Sequence, residues 1–213
     1  MFTKILIANP PIPQLSTAAD LLASAADRLL EGDAPNARQL VAEADMPVIG
    51  AYTALVTGAV NPLVHWQSAM PAGAVGLERS AQRMPSSSVE RAIYVRDGWR
   101  CRYCGTRVID RSMRARLHRC LPDVARWGAR NADKHTALAA LSASLDHIVP
   151  HSRGGTNDEP NLVTACNACQ FGRGQWTLDE VGFWDPREYP PVLDEWDGLT
   201  RLGRLADAFN IPQ

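Results

Sequence analysis

Four cysteines in two close pairs are the residues of this chain with the clearest capacity for chemistry. Cys101 and Cys104 form one Cys-x-x-Cys pair, and Cys166 and Cys169 form the other. A Cys-x-x-Cys turn presents two thiolates to one ion, and two such pairs complete the tetrahedral ligand shell that Zn²⁺ prefers. Because this shell leaves no open position for a substrate, we expect a structural zinc site. Four buried free thiols are the alternative.

An Asp-His dipeptide between the two cysteine pairs could do hydrolytic chemistry. Asp146 offers a carboxylate that suits a hard divalent cation, and a neutral His147 can take a proton from water. Adjacent side chains on a strand point to opposite faces, so these two converge only at a strand end or a bulge. Pro150 soon ends the strand, which is compatible with that geometry. On its own, the pair could also be a capping or core feature.

The elements that must position these residues are short. Strand signals cover residues 144–149 and 162–164, a glycine turn separates them, and a helix is expected to begin near Asn167. A unit of about 30 residues buries too little core to be stable without a cross-link such as a bound metal ion. Metal binding supplies much of the folding free energy of such small domains.

Several runs of residues around these motifs resemble one known family. They are residues 96–105 (Arg-Asp-Gly-Trp-Arg-Cys-Arg-Tyr-Cys-Gly), 146–150 (Asp-His-Ile-Val-Pro), 153–157 (Arg-Gly-Gly-Thr-Asn) and 161–169 (Asn-Leu-Val-Thr-Ala-Cys-Asn-Ala-Cys). Together they closely resemble the HNH endonucleases with the ββα-metal fold. The resemblance covers less than half of the chain, from about residue 88 to residue 176.

The resemblance implies a role for each matching residue. His147 would be the general base that activates water, and Asp146 would bind a catalytic divalent cation, Mg²⁺ or another. Asn161 would orient the loop and the catalytic His through hydrogen bonds. The implied reaction is hydrolysis of a DNA phosphodiester that leaves a 5′-phosphate.

The sequence departs from the family at the last residue of the His-Asn-His motif that gives the family its name. The family usually places His or Asn directly after the last cysteine as a second ligand of the catalytic metal, and here that residue is Gln170. An amide oxygen can bind a hard cation, but the extra methylene shifts it and adds rotamer entropy. A catalytically weakened, zinc-stabilised DNA-binding module is therefore the alternative function, and a zinc-ribbon adaptor in a protein complex is a third.

The arginines are concentrated in the middle of the chain, and the C-terminal stretch is acidic. The net charge of −1 excludes a polycation that coats nucleic acid indiscriminately. A local basic face still favours a DNA partner, expected to be double-stranded, with a merely solvated charged surface as the alternative. The residues predicted to bind nucleic acid are Arg111, Arg114, Arg116, Arg119, Arg153 and Arg173.

The organisation predicted from these signals is an α+β protein. Residues 1–85 form a helical segment and linker, residues 86–176 form the nuclease domain, and residues 177–213 form an acidic wrap. An Arg-rich insertion occupies residues 107–145, with helices expected over 123–129 and 134–141.

Caps and apolar periodicity place the other helices. Thr17 with Asp20 predicts a capping box for the first helix, Asp33 is expected to cap the second, and the third begins at Pro47. A fourth, over residues 89–96, would be capped by Ser87 or Ser88.

The apolar stripes of the N-terminal helices predict either core or a surface for a partner protein or second copy. No apolar run approaches the length that crosses a bilayer, and the first residues lack the features of a secretory signal. We therefore expect no membrane partner and a cytoplasmic location.

Overall fold

The computed structural model describes residues 11–57 and 83–205, and this part of the chain is α+β. Its helices and strands, in chain order, are α1 (Pro13–Leu30), α2 (Ala34–Ala44), α3 (Pro47–Thr57), α4 (Ser87–Arg96), α5 (Arg111–Cys120), α6 (Thr136–Ala140), β1 (Ser144–His147), β2 (Leu162–Ala165), α7 (Asn167–Arg173) and α8 (Leu178–Val181). Short 3-10 helices lie at Asn131–Asp133, His151–Arg153, Glu159–Asn161, Pro186–Glu188 and Thr200–Arg204. In these ranges, no helix combines the length and the apolar character needed to cross a membrane.

The first two helices form a hairpin whose turn is set by local chemistry. Gly32 adopts a φ of +82°, and its N–H donates to the carbonyl of Leu29, while the N–H of Asp33 donates to Arg28. This is a Schellman ending, which favours glycine at the left-handed position. The Asp33 side chain then accepts from the N–H of Asn36 at 3.2 Å, so the predicted cap of α2 is confirmed.

Other helix starts differ from the prediction. Helix α1 begins at Pro13, so Thr17 lies inside it, and the predicted Thr17–Asp20 capping box is wrong. Proline is favoured in a first turn because it needs no N–H partner there, and this moves the start upstream. Helix α3 begins at Pro47 as predicted, whereas the cap of α4 is Ser86 rather than Ser87 or Ser88.

The Arg-rich insertion is also arranged differently. Helix α5 lies where no helix was predicted, and Asp110 caps it by accepting from the N–H of Ser112 at 2.7 Å. Residues 123–129 are not helical. The helix predicted over 134–141 is present in a shorter form, as α6.

The two strands pair antiparallel and carry the central residues of the motif. Asp146 lies opposite Val163 and His147 lies opposite Leu162. Asp97, just after α4, supports the sheet because its Oδ2 accepts from the N–H of Thr164 at 2.8 Å. The predicted strands are thus confirmed, although the first ends at His147 rather than at residue 149.

The N-terminal helices bury their apolar stripe against the rest of the chain. Helix α1 packs against α6 and against the 3-10 helix Thr200–Arg204, and α3 packs against α6 and α7. The apolar stripe of α1 consists of Leu15, Ala18, Ala19, Leu22, Ala25, Ala26 and Leu29, all buried in the same cluster as the residues around the sheet. Of the two alternatives for this stripe, core is the observed one. The predicted division into domains at residues 85 and 176 stays a prediction.

Residues 177–205 also pack against this core. The indole Nε1 of Trp196 donates to the carbonyl of Val108 at 2.9 Å, and the N–H of Asp110 donates to Gly198 at 3.0 Å. A side chain at Gly198 would overlap the ring of Trp99. The C-terminal segment therefore covers the element that leads into the first cysteine pair.

A buried histidine joins the N-terminal hairpin to α6. The Nε2 of His135 lies 2.8 Å from the carbonyl of Val41, and its Nδ1 accepts from the N–H of Leu138 at 3.2 Å. One nitrogen donates and the other accepts, which requires a neutral ring. Burial lowers the pKa of His135 below its ordinary value.

This pKa shift predicts that acidification destabilises the fold. Below about pH 6.5 the unfolded chain protonates His135 while the folded chain does not, so stability is complete above that pH and falls as the pH drops, by up to about 1.4 kcal/mol per pH unit. Urea unfolding of the wild type and of His135→Gln between pH 8 and pH 5.5 measures this slope. The variant is expected to be less stable at pH 8 by about 1–3 kcal/mol but to show a shallower fall. Parallel curves would contradict the assignment.

Candidate functional site

The four paired cysteines converge into one cluster. Their sulfur atoms all lie within 4.8 Å of one another, and the Sγ atoms of Cys104 and Cys166 are 3.7 Å apart. Zinc bound tetrahedrally at about 2.3 Å from each sulfur holds the sulfurs about 3.8 Å apart. The cluster therefore fits a tetrahedral metal ion.

Local backbone geometry presents both halves of the cluster. In the first turn, the N–H of Gly105 donates to the carbonyl of Cys101 at 2.8 Å, and Gly105 has a φ of +75°, which favours glycine. In the second half, Cys166 directly precedes α7 and Cys169 lies in its first turn. The N–H of Arg102 donates to Thr164 on β2 at 2.9 Å, so the first turn is also attached to the sheet.

The cluster is electrostatically suited to a cation. Burial raises the pKa of the Cys101 thiol well above its ordinary value, and hydrogen bonding with Cys101 also raises the pKa of Cys169. Hydrogen bonds from Cys101 and its neighbours lower the pKa of Cys104 instead. A cation would replace the thiol protons and compensate the negative charge of the thiolates that result.

Asp146 lies at the end of β1 with both carboxylate oxygens engaged. Its Oδ2 accepts from the Tyr103 hydroxyl at 3.0 Å and from Nε and Nη2 of Arg173 at 3.0 and 2.8 Å. Its Oδ1 accepts from the N–H of His147 at 3.0 Å. Burial raises the pKa of Tyr103 well above its ordinary value, which keeps the phenol protonated as a donor.

Arg173 is an interior residue, which corrects the prediction that it contacts a phosphate. Its side chain is 0% exposed, and its guanidinium donates to the carbonyls of His147, Ile148 and Trp176 as well as to Asp146. The rigid five-donor fork of arginine suits such a set of acceptors. A buried carboxylate and a bidentate guanidinium compensate each other, so this pair is a structural counter-ion arrangement.

Gln170 fastens α7 to β1 in the same way, one helical turn earlier. Its Oε1 accepts from the Ser144 hydroxyl, and its Nε2 donates to the carbonyl of Leu145 at 3.2 Å. Ser144 and Asp146 share one face of the strand, so they meet Gln170 and Arg173 on one face of the helix. The oxygens predicted to bind a catalytic cation, those of Asp146 and Gln170, already accept hydrogen bonds. To bind a divalent cation, the two side chains would therefore have to share or exchange these contacts.

The loop between the strands surrounds His147. The Nε2 of His147 lies 2.8 Å from Oδ1 of Asn157, and its ring centroid lies 6.0 Å from that of His151. Asn161 accepts from the N–H of Val149 at 2.8 Å. Asn161 also donates through Nδ2 to the carbonyl of Val149 at 3.2 Å. Asn161 therefore holds the loop, as the resemblance implies, but the imidazole contact is made by Asn157.

The arginines predicted to bind nucleic acid mostly have partners within the protein. Arg111 donates to the carbonyl of Ala143 at 2.9 Å, and Arg116 donates to that of Leu205. Arg153 lies 3.3 Å from Glu180. These contacts anchor the insertion and the loop, and the assignment of the three arginines to nucleic-acid binding stays a prediction.

Two arginines of α5 show the contrast between a guanidinium with partners in the protein and one without. The guanidinium carbon of Arg114 lies 3.7 Å above the Trp127 ring, and Nη1 donates to Ser142 at 3.3 Å. Arg119 is exposed and has no partner within the described residues. The guanidinium of Arg119 is therefore available to a phosphate.

Two residues of the site make hydrogen bonds that the sequence did not indicate. Tyr103, interpreted as packing around the first cysteine turn, donates to Asp146. Asn157 matched the family only as part of a run and had no role. The contact between Asn157 and His147 depends on the return of the loop to the strand end, which the sequence does not reveal.

The comparisons with known proteins bear on this region. Residues 133–170 match the family model described as HNH endonuclease. The chain carries an HNH domain. The matched range contains β1, the loop, β2 and His147, and ends at Gln170, while the first cysteine pair lies outside it. No curated protein and no solved structure matches the chain significantly.

The cysteine cluster predicts one zinc ion per chain in the purified protein. Cys104→Ser is expected to lower the zinc content to well below one because it removes a ligand of a closed tetrahedral shell. Cys120→Ser, which changes a cysteine of α5 outside the cluster, is the matched control and is expected to keep its zinc. Inductively coupled plasma mass spectrometry measures both. Full zinc content in Cys104→Ser would contradict the assignment.

The buried ion pair predicts that Asp146 matters for stability as well as for any chemistry. Asp146→Ala leaves the Arg173 guanidinium buried without its counter-ion, and such a change costs about 3–5 kcal/mol. Urea unfolding followed by circular dichroism measures the loss. Asp179→Ala, at an exposed carboxylate in the first turn of α8, is expected to cost less than about 1 kcal/mol. Equal losses in the two variants would contradict the structural role of the pair.

Proposed function

We propose that this protein is an HNH endonuclease that hydrolyses phosphodiester bonds of double-stranded DNA and uses a divalent cation. The observation that carries the proposal is His147, which lies inside the range that matches the HNH family and whose imidazole is held at the strand end, 2.8 Å from Asn157. We further propose Zn²⁺ as the structural ion of the cysteine cluster.

The order of the elements supports a ββα-metal core. Strands β1 and β2 pair antiparallel, and α7 follows β2 directly. Cys166 and Cys169 at the start of α7 join this unit to the first cysteine turn. A metal at the cluster would thus fix the helix that packs against His147 and Asp146.

In the proposed reaction, His147 acts as general base. Water loses a proton to the imidazole, and its oxygen forms a bond to phosphorus. The electron pair of the P–O3′ bond leaves with the 3′-oxygen, which takes a proton from solvent, so a 5′-phosphate and a 3′-hydroxyl result. A positioned base contributes about 10²–10⁴-fold to such a rate.

Asp146 and Gln170 are the residues proposed to hold the catalytic cation, Mg²⁺ or another divalent ion. When bound, such a cation supplies stabilisation of negative charge on the phosphate and on the leaving oxygen. Gln170 would have to exchange its contact with Ser144, and Asp146 would have to share its carboxylate with Arg173.

A second candidate function is a zinc-stabilised DNA-binding module with weak or lost catalysis. The observation that favours it is the internal use of Gln170 and Asp146, which hold α7 on β1. In this alternative the HNH domain keeps its scaffold, and the exposed Arg119 meets the DNA backbone.

A nicking assay on supercoiled plasmid tests the proposal with Mg²⁺, Mn²⁺ or Ni²⁺. His147→Ala is expected to lower the rate by about 10²–10⁴-fold while its zinc content stays at the wild-type level. His118→Ala, at a half-buried histidine of α5, is the matched control and is expected to keep the activity. Gln170→Ala reports on metal affinity through the cation concentration that gives half the maximal rate.

The outcomes separate the two functions. Salt-dependent binding of DNA with intact plasmid under every cation would favour the binding module. Cleavage that His147→Ala retains in full would contradict the role of His147.

A further inference from the structure

His147 has one imidazole nitrogen engaged and the other available. Its Nε2 lies 2.8 Å from Oδ1 of Asn157. An amide oxygen only accepts hydrogen bonds, so Nε2 carries the proton and Nδ1 of the neutral ring keeps its lone pair. Among the described residues, no protein atom hydrogen-bonds Nδ1. This nitrogen is therefore the one that can take a proton.

Asn157 is held in position from both sides by one residue. The carbonyl of Thr156 accepts from Nδ2 of Asn161 at 2.8 Å, and the carbonyl of Asp158 accepts from the backbone N–H of Asn161, also at 2.8 Å. The neighbours of Asn157 are thus both bound to Asn161. Asn157 has little freedom to leave the imidazole, because its backbone is held at either side.

The return of the loop to His147 depends on a close backbone approach. A Cβ at Gly155 would overlap the carbonyl oxygen of Val149, so only glycine fits at that position. The N–H of Gly155 donates to the carbonyl of Pro150 at 3.1 Å, and Gly154 takes a φ of +87°. These contacts direct residues 156–158 back to the end of β1.

We propose that Asn157 is a positioning residue that fixes His147 in the tautomer protonated at Nε2, which makes Nδ1 the atom that receives the proton from water. The resemblance assigned the orientation of the catalytic His to Asn161. Asn161 acts on His147 indirectly, by holding the loop that carries Asn157. The catalytic meaning of this inference rests on the proposed function. The tautomer is a property of the folded protein without DNA and can be measured independently.

Long-range ¹H–¹⁵N correlation spectra of the full chain labelled with ¹⁵N-histidine test the proposal, with the His147 signals assigned from His147→Gln. The wild type is expected to show the pattern of an Nε2–H imidazole. Asn157→Asp keeps an acceptor and is expected to keep the tautomer, whereas Asn157→Ala is expected to show a mixture of tautomers. Asn131→Ala, at an exposed asparagine, is the matched control and is expected to leave the pattern unchanged.

Kinetics on plasmid DNA supply the second readout. Asn157→Ala is expected to lower kcat by about 10- to 100-fold with KM within about twofold, and Asn157→Asp is expected to recover part of that loss. An Nδ1–H tautomer in the wild type, or an unchanged tautomer in Asn157→Ala, would overturn the proposal. If the wild type cleaves no DNA, the proposed function fails while the spectra still decide the tautomer.

Discussion

The attachment of α7 to β1 is the constraint on which the rest of the site depends. A two-stranded sheet of this size cannot hold its shape in water by itself. Here the cysteine cluster fixes the start of α7, and Gln170 and Arg173 fasten the following turns to Ser144 and Asp146. The backbone that carries His147 therefore has a rigid support on one side.

The same attachment uses groups that chemistry would also require. Asp146 neutralises Arg173 in the interior, so its carboxylate stabilises the fold independently of any bound cation. Low dielectric strengthens this pair and also makes a missing partner costly. Stability and activity measurements on variants at this position must therefore be made together.

The parts of the fold that were predictable from sequence depend on local signals. Cysteine spacing, the apolar stripe of α1 and the cap at Asp33 each report chemistry within a few residues, and the structure contains all of them. Helix α5 was missed because its four arginines hide an amphipathic pattern with only Leu117 buried. The start of α1 was predicted too late because Thr17 and Asp20 match a capping box, whereas the helix begins at Pro13.

The parts that were not predictable depend on partners distant in sequence. The charge asymmetry between the Arg-rich middle and the acidic tail indicated a basic face. Instead, many of these charges meet one another or the N-terminal helices, as in Arg38–Asp123, Arg100–Asp194, Arg107–Asp20, Arg126–Asp45 and Arg201–Asp27. Such pairs contribute little each, at most about 1 kcal/mol. They nevertheless decide which guanidinium groups remain accessible, and no spacing rule anticipates a pair so far apart.

The packing of α1 against the 3-10 helix Thr200–Arg204 has a consequence for synthesis. Arg201 reaches Asp27 at 2.7 Å, so the first described helix and the last described turn lie side by side. During translation, the α1–α2 hairpin can form early from its own local contacts, but the face of α1 that packs against Thr200–Arg204 stays uncovered until those residues have left the ribosome. This part of the core is therefore completed late, and until then the apolar face of the nascent hairpin is exposed to aggregation.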